Sequence, residues 1–441
     1  MIKRIFSTSF FSVASRFFST GTSLLIIFFI SKFMDTKSLG RYGIAFFFFQ
    51  LFIVTSYLGL EVFLGKEVAY RREEPGMLRK LFNETLIATL YGSLLSFALM
   101  VILLIFYRKI DFPLFTTVLF AGILYGLERN LGGFLLGKEK VYIDTFYMLL
   151  SLFITAALIL LFKDNLDITK IFLIRVFSLL AGVIGRFCAI VKGTKNSLKQ
   201  QDFPEQNLSE LRKPWKFSRF REIKFFWFFT IFTFFERQAD IFILSLFVDE
   251  KILGGYFLSL RIYLTVNLLI EVLAQALTPF ISRVFRGKEA IDFKVFFKYL
   301  FIISLFTGIM LGLILYFSRD FIIGLFNKNL IPPTSPYLAI LAFVVPFKVG
   351  SYILGSIMSS SQYQKARFYI SLFTTLFFVI SLPLFINFYS AFGAIYARAV
   401  FEVLVYLISL IFVYKFLKKT GCGPPGRSFG DPAGGQTFKK V

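Results

Sequence analysis

Eight basic residues stand inside long apolar runs: Arg16, Arg129, Arg175, Arg186, Arg237, Arg261, Lys348 and Arg398. A cation near the centre of a bilayer costs at least about 2.5–3.5 kcal/mol, so it normally faces a bundle interior or a wet cavity and has a partner. Six carboxylates share those runs or their edges: Glu61, Glu128, Glu236, Asp240, Glu271 and Glu402. The guanidinium fork matches phosphate geometry, so one chemistry open to this set is anion binding in a hydrated cavity. The other is internal charge pairing. Arg129 follows Glu128 directly and reads as an inter-helix charge pair, Arg398 has Glu402 at i+4, and Arg237 has the means to neutralise an acid on a neighbouring helix. Arg186 lies close enough to a span end to snorkel. In Glu236-Arg237-Gln238-Ala239-Asp240, the densest cluster, a helix puts Glu236 and Asp240 on one face and turns Arg237 about 100° away. Histidine is absent, which excludes a histidine general base, a His-metal site and a His-based pH sensor, while carboxylates remain able to carry protons. Cys188 and Cys422 form no CxxC pair and no disulfide framework.

The runs that hold these residues define the fold class. With 57% hydrophobic and 17% charged residues and a mean hydropathy of +0.73, the chain is far more apolar than a soluble domain with its roughly 25% charged residues. A spanning helix needs about 20 mainly apolar residues. Runs of that kind lie near 9–33, 39–64, 83–107, 112–137, 141–162 and 168–191, then 222–247, 252–281, 293–318, 334–360, 365–388 and 391–417. The expectation is an all-α polytopic membrane protein with twelve transmembrane helices in two six-helix bundles. Lys3 and Arg4 precede the first run, but its length makes it a true span rather than a cleaved signal. The eighth and tenth runs are long enough to be tilted or broken, and Pro279, Pro346 and Pro383 can kink the helices that hold them. The phenylalanine runs, such as Phe46 to Phe49, read as lipid-facing or packing side chains.

The octapeptide Asp35-Thr-Lys-Ser-Leu-Gly-Arg-Tyr42 returns 214 residues later as Asp249-Glu-Lys-Ile-Leu-Gly-Gly-Tyr256. Each copy sits between two apolar runs, as the turn of a helical hairpin. Six spans per half make the two halves parallel repeats about an axis along the membrane normal. The boundaries expected are residues 1–191 for the N-terminal bundle, 192–221 for a basic cytoplasmic linker, 222–417 for the C-terminal bundle and 418–441 for a disordered tail. Of 49 Lys and Arg, 31 fall on the side of the N-terminus and 10 on the other, which predicts that both termini are cytoplasmic. Topology thus accounts for most of the +23 charge, and no nucleic-acid partner is expected. The repeated motif lies at the outer hairpin tips, away from any binding site, and its register predicts that Arg16 and Arg237 approach one cavity from opposite halves.

The segment from Arg16 to Ala69, with Leu39-Gly40-Arg41-Tyr42-Gly43 and Leu58-Gly59-Leu60-Glu61 before a basic loop, resembles the polysaccharide transporter family. So do Asp240-Ile-Phe-Ile-Leu, Leu253-Gly254-Gly255-Tyr256 and Thr278-Pro279 in the second half. That family includes O-antigen flippases and belongs with the multidrug and oligosaccharidyl-lipid exporters. The resemblance implies two bundles around a central cavity that move a polyprenyl-pyrophosphate-linked oligosaccharide from the cytoplasmic to the outer leaflet by alternating access. It implies a bacterial inner-membrane protein serving O-antigen-like polysaccharide and lipopolysaccharide assembly. The partners would be the lipid-linked glycan, membrane lipids and glycan polymerase or ligase machinery, with no cofactor and no catalytic residue. The family's cationic cavity maps onto Arg16, Arg237, Arg261, Lys348 and Arg398. Glu236 and Asp240 depart from a purely cationic lining and, with Glu271, are candidates for proton or sodium coupling. A multidrug exporter of the same superfamily, with an acidic cavity, is the nearest alternative. A membrane glycosyltransferase, polymerase or ligase is another, against which the short outer loops count.

Overall fold

The computed structural model describes residues 2–71, 74–107, 110–199, 220–285, 293–326, 334–360 and 364–420. Among them run twelve α-helices: α1 (Ile2–Phe33), α2 (Thr36–Tyr57), α3 (Leu60–Tyr70), α4 (Pro75–Phe106), α5 (Phe112–Gly137), α6 (Val141–Leu161), α7 (Ile168–Lys199), α8 (Phe220–Phe247), α9 (Glu250–Phe285), α10 (Phe293–Phe326), α11 (Thr334–Ser360) and α12 (Gln364–Thr420). The protein is an all-α, multi-pass membrane protein. Eight of its helical stretches are individually long and apolar enough to cross a bilayer. Of the long helices not so counted, α5 carries Glu128 and Arg129, α8 carries Glu236, Arg237 and Asp240, and α9 carries Arg261 and Glu271.

Two breaks reconcile the helices with the spans read from sequence. The second span divides into α2 and α3 because Leu58 and Gly59 take left-handed backbone angles, φ 53° and 68°. The last two spans run together as α12, interrupted at Ser390 with φ 53° and ψ −134°. Proline does not stop α11 at Pro346 or α12 at Pro383. The helix α7 continues to Lys199, eight residues into the segment expected to be linker; residues 200–219 lie outside the described residues, as do 421–441 of the expected tail.

The described chain forms two compact units. The first comprises Met1–Arg261, Asp320–Tyr337 and Val379–Ala394; the second comprises Ile262–Arg319, Leu338–Phe378 and Ile395–Val441. Within the first, α2 is the central helix, packed by α4, α5 and α8. Its Phe46 to Phe49 run is buried throughout: Phe47 stacks on Phe242 at 4.8 Å and Phe48 meets Phe115 at 5.0 Å. Of the two readings given to those rings, packing holds here. In the second unit Ile281, Leu300, Leu354, Ile357, Met358 and Val413 make a core, while α10 turns Ile303, Phe306, Ile314 and Phe317 outward, as a lipid-facing helix does.

The two copies of the octapeptide pack against each other inside the first unit. Their turns are built alike: Leu39 N–H donates to Asp35 O at 3.2 Å and Leu253 N–H to Asp249 O at 3.0 Å. Upstream, Met34 N–H donates to Ile30 O and Val248 N–H to Leu244 O, again at the 214-residue offset. Asp35 also caps α2 by accepting from Ser38 N–H at 2.8 Å, which holds its carboxyl below the ordinary carboxylate value. A Cβ on Gly40 would collide with the Glu250 carbonyl, and one on Gly254 with the Thr36 carbonyl. Glu250 is the counterpart of Thr36, so the contact is reciprocal, and Gly43 meets its own counterpart Phe257. Glycine is required at both crossings because two backbones touch there. Arg41 ties the rim to Asp111 at 3.3 Å and Glu250 at 3.6 Å, exposed pairs worth little on their own.

Candidate functional site

Buried charges on three helices, with a serine on a fourth, form one network in the first unit. Arg186 on α7 donates from Nε to Asp144 Oδ1 and from Nη1 to Glu128 Oε1, both at 2.7 Å, and from Nη2 to the Asp144 carbonyl at 3.1 Å. Ser15 on α1 donates to Asp144 Oδ2 at 2.7 Å. Arg186 and Glu128 are both 0% exposed. Gly182, one turn before Arg186, leaves the space this needs, since a Cβ there would approach both Arg186 Nη1 and Glu128 Oε1 to 2.9 Å. Arg186 therefore does not snorkel. It joins α1, α5, α6 and α7 through bonds whose loss would leave two buried carboxylates uncompensated. Arg129 reaches Glu61 at 2.9 Å, the inter-helix pair expected of it.

A second group gathers around Tyr125 and Tyr42. Arg175 on α7 is 6% exposed, donates to Ser151 Oγ at 3.4 Å and lies 5.7 Å from the Tyr125 ring centre. Tyr125 in turn shares a 2.6 Å hydrogen bond with Ser19, one turn along α1 from half-buried Arg16. Tyr42 on α2 stacks on Phe172 at 5.5 Å, and both Arg175 and Arg261 act electrostatically on it. Arg261 sits 4.1 Å from the Phe46 ring and 4.8 Å from the Phe257 ring, and donates to Gln238 Oε1 at 2.7 Å. Aromatic faces, hydroxyls and an amide thus make up part of the surroundings of Arg175 and Arg261. Such faces attract a guanidinium electrostatically.

On α8, Asp240 is fully buried and accepts from the Tyr256 hydroxyl at 2.5 Å and from Ile241 N–H at 3.0 Å. Glu236 is half-buried and Arg237 exposed. In the second unit, Lys348 grips Glu402 at 2.9 and 3.0 Å, with the Tyr263 hydroxyl at 3.5 Å from the same carboxylate. Arg398, 1% exposed, lies 4.8 Å from the Phe378 ring, and Glu271 is half-buried. Of the cations chosen from the sequence, Arg16, Arg237 and Arg261 belong to the first unit and Lys348 and Arg398 to the second. Glu402, one turn along the helix from Arg398, is held by Lys348 from another helix. Among the described residues no group of three or more Cys, Asp and Glu side chains is placed to hold a metal ion.

Two residues that matter to these networks were passed over in the sequence choice. Asp144 sits inside the run 141–162, and its position alone placed a carboxylate in the membrane. Arg175 was among the eight embedded cations, but nothing in its spacing separates it from Arg186; only the neighbouring helices do.

The chain matches the family model described as "Polysaccharide biosynthesis protein" over residues 6–285 and the MatE model over 227–384. No curated protein matches it. Its fold is similar to that of an inward-facing multidrug resistance MATE family transporter of the MOP superfamily, with a TM-score of 0.69, 13% identity, and coverage of 92% of this chain and 96% of that one. It is similar to the eukaryotic MATE transporter AtDTX14, with a TM-score of 0.62, 16% identity, and coverage of 94% and 96%. A MOP superfamily transporter from Pyrococcus furiosus, whose title describes reversed polarity of its binding pocket, gives a TM-score of 0.63 at 12% identity, covering 94% and 96%. The chain belongs to the polysaccharide biosynthesis protein family, and its fold is the one seen in the MATE transporters.

Proposed function

We propose that this protein is a flippase that carries a polyprenyl-pyrophosphate-linked oligosaccharide from the cytoplasmic to the outer leaflet of a bacterial inner membrane, for cell-surface polysaccharide assembly. The observation that supports this most is the setting of Arg261, an embedded cation resting on two aromatic rings and an amide in a member of this family. A guanidinium held against aromatic rings inside an apolar run suits recognition of an anionic headgroup that must cross the bilayer. In this reading Arg16, Arg237, Arg261, Lys348 and Arg398 offset the charge of the pyrophosphate while the lipid tail stays in the bilayer. Glu236, Asp240 and Glu271 carry the coupling ion, and both termini are cytoplasmic. The partners are the lipid-linked glycan and the polymerase or ligase that uses it.

Replacing Arg261 by Ala at normal protein abundance should abolish surface-glycan assembly in the host; normal assembly would remove Arg261 from the transport path. A second reading, multidrug export, is favoured by the names of the structural neighbours. It predicts drug hypersensitivity and intact surface glycan in a deletion strain, whereas the flippase reading predicts the reverse.

A further inference from the structure

Arg175 stands apart from the other buried cations. It is 6% exposed, yet among the described residues it makes no ion pair, and its one hydrogen bond is the long one to Ser151. The carboxylate that acts on it electrostatically is Glu128, whose Oε1 is already taken by Arg186 at 2.7 Å. Tyr125 and Ser151, which frame the guanidinium, are central in α5 and α6, away from the helix ends where a charge is cheapest to hold. A buried cation with that little compensation destabilises the empty protein unless a ligand completes it.

Around it lie the Ser151 hydroxyl, the Tyr125 ring, whose hydroxyl is shared with Ser19, and Tyr42, on which both Arg175 and Arg261 act electrostatically. A guanidinium with one long hydrogen bond keeps most of its fork of donors for a group with several acceptor oxygens, which is the chemistry of phosphate.

We propose that Arg175 is a binding residue for a phosphate group of the transported molecule, received in the first unit among α2, α5, α6 and α7. This rests on the flippase reading for the identity of the molecule, though the anion chemistry stands without it.

The test uses the full-length protein in detergent, with polyprenyl pyrophosphate, inorganic pyrophosphate and neutral polyprenol as probes, comparing wild type, Arg175→Met and Arg175→Lys. Arg175→Met should bind polyprenyl pyrophosphate roughly tenfold or more weakly, and Arg175→Lys should lose part of that, since the ammonium keeps the charge without the fork. The ligand-free thermal midpoint of Arg175→Met should be unchanged or raised, because a charge held for a ligand has been removed; a structural partner of Glu128 would instead give a fall. Equal affinity in wild type and both variants overturns the proposal, and so does a lowered ligand-free midpoint in Arg175→Met. If the wild type binds inorganic pyrophosphate through Arg175 but not the lipid form, the anion site stands and the flippase reading falls. If it binds neither anion, both fall.

Discussion

Gly40→Ala is the substitution whose cost is most directly legible in the structure. In an ordinary helix interior, Ala in place of Gly stabilises by roughly 0.5–1 kcal/mol. At Gly40 the added methyl would lie 2.7 Å from the Glu250 carbonyl carbon and closer still to its oxygen. A backbone carbonyl cannot rotate aside as a side chain can, so α2 and α9 must separate. Overpacking of this kind costs about 1–3 kcal/mol, which leaves a net loss of about 0.5–2 kcal/mol. Gly254→Ala meets the Thr36 carbonyl and has Gly40 N at 3.1 Å, so it should cost a similar amount. Because each methyl forces apart the same pair of helices, the double variant should lose less than the sum of the singles, a coupling of the kind neighbouring sites show. Gly324→Ala is the control: nothing lies within 4 Å of a Cβ there, and only the helix-propensity gain should appear. Thermal unfolding of the purified proteins in detergent measures all four. A Gly40→Ala midpoint at or above wild type, level with Gly324→Ala, would refute the reciprocal packing of the two octapeptides.

Three further outcomes follow from the same structure. Arg186→Met should cost about 3–5 kcal/mol by stranding Glu128 and Asp144, and adding Glu128→Gln and Asp144→Asn should recover part of it, because neutralising a whole buried network is far less harmful than breaking it; unfolding midpoints decide. Lys138, at the end of α5, has its amine pushed down to about 8 by burial, with Lys140 adding like-charge repulsion. The unfolded chain then holds the proton more tightly than the folded one, so stability should rise with pH from about 8 towards 10.5; a midpoint-against-pH series should lose that rise in Lys138→Met. Ser390→Gly should stabilise by about 1 kcal/mol, since the exposed Ser390 holds backbone angles that favour glycine and little packing is lost; an unchanged or lowered midpoint counts against strain at that break.

The spans were legible in the sequence because bilayer thickness fixes how long an apolar run must be, and the run does not depend on what packs against it. Breaks inside a run were less so. Leu58-Gly59-Leu60 is apolar throughout, and only the left-handed angles of Leu58 and Gly59 reveal that α2 ends there. Arg186 was misjudged for a related reason. Its place near the end of the apolar run suggested an exit to the surface, but Asp144 and Glu128 on neighbouring helices hold the guanidinium inside, and those partners are 42 and 58 residues away in sequence. The octapeptide repeat announced the duplication, and its register matched Gly40 to Gly254. That the two copies touch each other depends on helix crossings no single sequence records. Charge partners were hardest of all: nothing in the sequence joins Glu402 to Lys348, which holds its carboxylate from 54 residues away.

The central claim is that this protein moves a lipid-linked glycan across the bilayer. It is tested most directly by reconstituting the purified chain into vesicles loaded with a labelled polyprenyl-pyrophosphate oligosaccharide and following its exposure on the opposite leaflet. The account predicts protein-dependent translocation that is slowed or lost in Arg261→Ala. Folded, reconstituted protein that leaves the glycan where it began, while accumulating a cationic dye, would contradict it.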